Sequence, residues 1–113
     1  MKHIDLSLSL LEEFLLLALK GKERYGLDIR NHIALSSCGR YTVQPGNLYP
    51  TLERLEKRGL IVGRWGEDRP ESRKGARRKY YTITADGDQA LEIVDAFRLN
   101  LKGDQPVLDE AEI

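Results

Sequence analysis

Cysteine is almost missing from this chain of 113 residues: Cys38 stands alone. A single thiol forms no internal disulfide, so nothing calls for an oxidising compartment. No second thiol is nearby to resolve a sulfenate, and Cys38 reads as a helix-end or loop residue, not a redox sensor. Histidine is scarce too. His3 and His32 are far apart, with no cysteine or carboxylate at ligand spacing, so no metal site is expected. Long apolar runs are also lacking. The longest, Phe14 to Leu19, falls well short of the roughly 18–20 residues that span a bilayer. Asp5, Glu12 and Glu13 break the leucine-rich start, and no small-x-small cleavage pattern follows. No signal peptide and no membrane partner are therefore expected, and the cytoplasm is the default compartment. No nucleophile–base pairing, phosphate loop or H-E-x-x-H motif appears, so neither catalysis nor a cofactor is expected.

A net charge is missing as well, which at first argues against a nucleic-acid partner. The distribution argues the other way. Four acids and no base follow Lys102 (Asp104, Asp109, Glu110, Glu112). Residues 1–102 then hold 18 bases against 14 acids, a net of +4. Residues 64–79 alone carry seven bases (Arg64, Arg69, Arg73, Lys74, Arg77, Arg78, Lys79) against three acids. Distribution, more than the total, decides binding to DNA.

What is present is ordinary globular composition, 41% apolar and 32% charged, at a length that fits one domain. The spacing predicts a first helix from about Ser9 to Lys20. Ser9 and Glu12 have capping-box spacing and Gly21 stops the helix. Its apolar residues lie on every side, which asks for cover beyond what so small a domain supplies. A second helix is expected from about Tyr25 to Ser36, with Ile29 and Ile33 inward. A short extended piece, Tyr41–Gln44, leads into a third helix from about Pro45 to Arg58, capped by Gly59. Leu48, Leu52 and Leu55 form its apolar stripe, while Gly46, Asn47, Pro50, Glu53, Arg54 and Lys57 point the other way. Two strands, Leu60–Trp65 and Lys79–Thr84, read as a hairpin with a long basic tip, and Trp65 reads as cover for its base. A last helix begins at the N-cap Thr84 and runs to about Lys102. Ala90, Val94, Phe97 and Leu101 form a helix-pairing seam on it, widened by Leu91 and Ile93. Residues 103–113 form an acidic, frayed tail.

The order of helix, helix, helix, hairpin, helix is that of a winged helix-turn-helix: mainly α, with a small β-hairpin and a C-terminal dimerisation helix, one domain over residues 1–102. A helix with one apolar stripe docks on the core and turns its other face to the major groove. A basic hairpin beside it reaches phosphates or the minor groove. Gly46 allows close backbone approach, Asn47 suits adenine, Arg54 and Lys57 suit guanine or phosphate, and Glu53 suits cytosine. Arg69, Arg73, Lys74, Arg77 and Arg78 are the expected wing contacts. Leu10, Phe14, Leu17, Ala90, Leu91, Val94, Phe97 and Leu101 are the expected dimer contacts.

Gly46-Asn47-Leu48-Tyr49-Pro50-Thr51-Leu52-Glu53-Arg54-Leu55-Glu56-Lys57-Arg58-Gly59-Leu60-Ile61 resembles the recognition-helix signature of the PadR family, approximately G-x-L-Y-P-x-L-x-x-L-E-x-x-G-L. Arg78-Lys79-Tyr80-Tyr81-Thr82-Ile83-Thr84-Ala85-Asp86-Gly87 resembles the block in which that family's wing strand runs into its last helix. Tyr25-Gly26-Leu27-Asp28-Ile29 looks like the helix-two block. The three blocks occur in order and cover roughly residues 8–100. The resemblance implies a homodimeric bacterial transcriptional regulator, usually a repressor on an inverted repeat of double-stranded DNA. The C-terminal helix packs on the partner's N-terminal helix. It implies that Tyr49, with Pro50 and Thr51 in the same motif, lies at the DNA, Tyr49 on the backbone. The chain departs from the family in its long Arg-rich wing tip and in Leu27, where an aromatic is common. The wing and the N-Y-P-T helix also look like the cyanobacterial clock-modifying relatives of the family. A rival reading is a winged helix that grips a charged protein partner and lacks sequence-specific DNA binding. A small-molecule effector between subunits is compatible with DNA binding, and no residue pattern calls for one.

Overall fold

The structure, a computed structural model, describes residues 7–67 and 77–103. Its elements are α1 (Leu10–Ala18), β1 (Arg24–Tyr25), α2 (Gly26–Ser36), α3 (Pro45–Lys57), β2 (Ile61–Trp65), β3 (Lys79–Ile83) and α4 (Ala85–Lys102). The three strands form one antiparallel sheet in the order β1-β3-β2. Most of the acidic tail lies outside the described residues.

The helix starts follow the expected chemistry. At α1 the Ser9 hydroxyl accepts from the Glu12 amide at 3.1 Å, and the Ser9 amide donates to Glu12 Oε1 at 2.8 Å. Two orphan amides of the first turn are thereby satisfied. Glu12 is itself buried, and its second oxygen accepts from Arg58 at 3.3 Å. One carboxylate thus caps α1 and ties it to the end of α3. At α4 the Thr84 hydroxyl accepts from the Gly87 amide and donates to the Gly59 carbonyl, at 3.1 and 2.7 Å.

The core is built from Leu15, Leu16, Ala18 and Leu19 of the first helix and its cap, Ile29 and Ile33 of α2, and Leu48, Leu52 and Leu55 of α3. Leu60, Ile61, Tyr81 and Leu91 close it. The apolar α1 is covered on most sides within the protomer. α4 runs antiparallel beside it, held by Lys20–Asp88 at one end and Arg98–Glu13 at the other, at 3.1 and 2.7 Å. Leu10 and Leu17 remain exposed.

The piece Tyr41–Gln44 leads into α3 as expected, and Ser37 organises it, its hydroxyl bonded to the Tyr41 amide and carbonyl. One local expectation changes. The third strand is β1, which pairs Arg24 with Tyr81 and Tyr25 with Tyr80. Arg24 also donates to the Ala18 carbonyl at 2.7 Å, satisfying an orphan acceptor at the end of α1.

Gly87 is the tightest junction between α4 and the sheet. A Cβ at this position would overlap the Leu60 carbonyl oxygen and crowd Ile83. Backbone cannot swing aside as a side chain can. Gly87→Ala is therefore expected to cost about 1–3 kcal/mol, even though alanine normally favours helices. A thermal melt that shows Gly87→Ala as stable as wild type would contradict this packing.

Candidate nucleic-acid interface

The site is built on α3. Leu48, Leu52 and Leu55 are 0% exposed. Burying one side of a helix this completely leaves the other side bare. Gly46, Asn47, Tyr49, Pro50, Glu53, Arg54 and Lys57 are all exposed, as expected. Glu53 and Lys57 are partnered with each other at 3.3 Å, one turn apart. Pro50 lies inside the helix without breaking it. Its missing N–H removes a single bond, the one to the Gly46 carbonyl, early in the helix.

Thr51 is the exception. Expected on the DNA-facing side, it is only 2% exposed. Its hydroxyl donates to the Asn47 carbonyl at 2.6 Å and accepts from Arg54 Nη2 at 3.0 Å. Thr51 lies three residues after Leu48 and four before Leu55, which puts it at the edge of the leucine stripe. That spacing was the signal for its burial.

Tyr49 is half exposed and leans on α2. A Cβ on Gly26 would come within 2.5 Å of its hydroxyl and 2.8 Å of its ring. The Tyr25-Gly26 pair therefore has a steric role: only glycine leaves room for Tyr49 there. Gly26 belongs to the helix-two block, and nothing local in that block signals its contact with Tyr49, which is 23 residues away.

The base of the wing stands beside α3. A cleft of about 520 Å3 runs between them, lined by Tyr25, Tyr49, Trp65, Arg77, Arg78 and Lys79 among others. Its cations lie over its rings. Arg78 is 4.3 Å from the Tyr25 ring centre, Arg77 is 5.8 Å from Trp65, and Lys79 is 5.7 Å from Trp65. Such contacts orient a cation without neutralising it. Arg77 also donates twice to the Gly66 carbonyl, at 3.2 and 3.1 Å, which closes the base of the wing. Lys79 pairs with Glu56 of α3 at 3.1 Å. That pair, absent from the expected site, fixes the wing against the helix. Arg69, Arg73 and Lys74 lie outside the described residues.

The expected dimer residues divide into two groups. Leu91 and Val94 are buried within the protomer, which removes them from the offered surface. Ala90 and Phe14 are partly buried against the core. Leu10, Leu17, Phe97 and Leu101 are exposed, Phe97 by 49%. The seam changes role along α4: its first half packs on the chain's own α1, and its second half has no apolar cover. Among the described residues no group of His, Cys, Asp and Glu is placed to hold a metal ion, and no helix is long and apolar enough to cross a membrane.

A bare polar helix face beside a cation-rich hairpin base, on a three-helix core with a small antiparallel sheet, is a winged helix-turn-helix. The model of the Transcriptional regulator PadR-like family matches residues 15–93. The chain belongs to that family: it is a DNA-binding transcriptional regulator, and not an enzyme. It is similar to a PadR-like transcription factor from Bacteroides fragilis, at 32% identity over 81% of this chain and 82% of that one, with a TM-score of 0.71. A transcriptional regulator from Clostridium thermocellum is 29% identical over 80% of this chain and 85% of that one, with a TM-score of 0.66. Bacillus subtilis PadR, solved in complex with operator DNA, shares the fold at 24% identity and a TM-score of 0.67. The alignment covers 91% of this chain and 52% of that one. The narrower likeness to clock-modifying relatives is not borne out.

Arg64, the first base of the wing stretch, is held by an acid of this chain. Its Nε and Nη2 donate to both oxygens of Glu23, at 2.8 and 2.6 Å. The hydrogen bond from Arg64 holds the Glu23 carboxyl below its ordinary range; the attraction of the charges adds to this and partial desolvation opposes it. A carboxyl depressed in the folded state contributes stability above the unfolded value, near pH 4.3. That contribution is lost as pH falls through the lower folded value. Arg64→Ala is expected to return the Glu23 carboxyl to the ordinary range, measured by NMR titration. An unmoved titration would show that Arg64 does not hold it.

Proposed function

We propose that this regulator is a homodimer that binds an inverted repeat in double-stranded DNA and represses transcription there. The observation that carries the reading is the bare face of α3, with Asn47 and Arg54 outward, set beside the cationic wing base. Folding does not require a base-edge donor and acceptor at either exposed position. Asn suits the adenine edge, Arg suits the guanine edge, and Tyr49 reaches a backbone oxygen. Bacillus subtilis PadR, a protein of the same fold, is solved in complex with operator DNA, which supports duplex DNA as the partner.

The dimer rests on apolar surface with no partner in one chain. Phe97, Leu99 and Leu101 are exposed on the last turns of α4. An open apolar groove of about 310 Å3, lined by Phe14, Leu17, Ile33 and Tyr41 among others, lies between α1 and α2, and no residue of α4 lines it. Contact with a second copy removes both surfaces from water, and two-fold symmetry makes every such contact twice. The domain then spans residues 1–102, and two α3 helices address half-sites about one helical turn apart.

One set of measurements tests the proposal. Operators are selected from a random duplex pool, and binding is followed at several salt concentrations. Affinity should fall linearly with salt on logarithmic axes. Asn47→Ala should relax one base preference by about 1–3 kcal/mol, and Tyr49→Phe should weaken all sequences evenly. Phe97→Glu with Leu101→Glu should yield monomers by light scattering. Duplex binding with no salt dependence and no preferred sequence would favour the protein-interaction reading, and a wild-type monomer at micromolar concentration would remove the dimer.

A further inference from the structure

Thr51 is buried and polar, and its hydroxyl bonds both the backbone carbonyl of Asn47 and the guanidinium of Arg54. Asn47, Thr51 and Arg54 are spaced by four and then three residues, so they form one column along the helix. Asn47 and Arg54 are exposed and Thr51 lies beneath them. A hydroxyl has a single proton. The 2.6 Å bond to the Asn47 carbonyl uses it. The bond to Arg54 Nη2 is therefore accepted, and the oxygen faces the guanidinium with its lone pairs. The Asn47 carbonyl thus sets the hydroxyl, and the hydroxyl sets Arg54.

An exposed arginine normally samples many rotamers, and fixing it on a base costs free energy at the moment of binding. A guanidinium already anchored by one of its five N–H groups keeps four donors for a fork onto guanine or phosphate. The anchor is confined: Thr51 is 2% exposed and stands at the edge of the stripe formed by Leu48 and Leu55. Serine would keep the hydroxyl, and valine would keep the shape and lose both bonds.

We infer that Thr51 is a positioning residue for base recognition: its buried hydroxyl holds Arg54 in the orientation that reads DNA. The inference rests on the reading of Arg54 as a DNA contact and assigns no DNA contact to Thr51 itself.

The test is competition binding of the intact protein against single-base variants of its selected operator, with thermal melts alongside. Arg54→Ala first identifies the base pairs that depend on Arg54. Thr51→Val should weaken preference at those same base pairs by about three- to tenfold, the range set by the ordering of one flexible side chain. Preference elsewhere should be unchanged, and Thr51→Ser should restore it. In an Arg54→Ala background Thr51→Val should add no further loss. This comparison also covers a variant that melts lower, because a general loss of folded protein lowers affinity for all sequences alike. If Thr51→Val keeps the wild-type preference at the Arg54-dependent base pairs, Thr51 does not position Arg54. If Arg54→Ala alters no base preference, the reading of Arg54 as a base contact is wrong and the inference falls with it.

Discussion

Leu48, Leu52 and Leu55 leave water together, and this requirement sets the direction of every other side chain on α3. Each buried leucine is worth roughly 1.5–3 kcal/mol, so the three outweigh any preference of a single polar residue on the same helix. The helix cannot rotate about its axis without exposing one of them. Glu12–Arg58 anchors its C-terminal end to α1, and Glu56–Lys79 anchors its flank to the wing. The outward face of Asn47, Arg54 and Lys57 is a consequence of what the inward face has to bury.

The charges near the wing are less uniform than their number suggests. Arg64 is matched by Glu23, and Lys79 by Glu56. Arg77 closes the wing base on a backbone carbonyl, and Arg78 lies over an aromatic ring. Several of these bases are therefore structural as well as electrostatic: they shape the cleft while adding to its positive field. Ion pairs of this exposure contribute little to stability, so their main effect is geometric. Lys79–Glu56 ties the hairpin to α3, and Arg64–Glu23 ties it to the segment before β1.

Much of this was legible in the sequence because the signals are local. The Ser9–Glu12 capping box, the leucine spacing of α3, the Thr84 cap and the hairpin strands each lie within one element, and each is observed. What escaped notice depends on contacts across the chain. β1 is two residues long, and its pairing partners, Tyr80 and Tyr81, lie more than fifty positions away. Gly26 makes sense only once Tyr49 is placed against it. Thr51 stands in a motif whose resemblance implies a place at the DNA, whereas its spacing from the leucines points inward. A seam uniform along α4 would place Leu91 and Val94 in the interface. In the structure the first half of that seam belongs to the chain's own core.

The central claim is that the outward face of α3 and the adjoining wing base form one DNA-binding surface. Backbone amide shifts of the labelled protein, followed as selected duplex is added, test it most directly. The account expects the largest changes at Asn47, Tyr49, Arg54 and Lys57 and at Arg77 to Lys79. Leu99 and Leu101 at the far end of α4 should stay nearly fixed. Changes concentrated on α4 and α1, with α3 undisturbed, would contradict it.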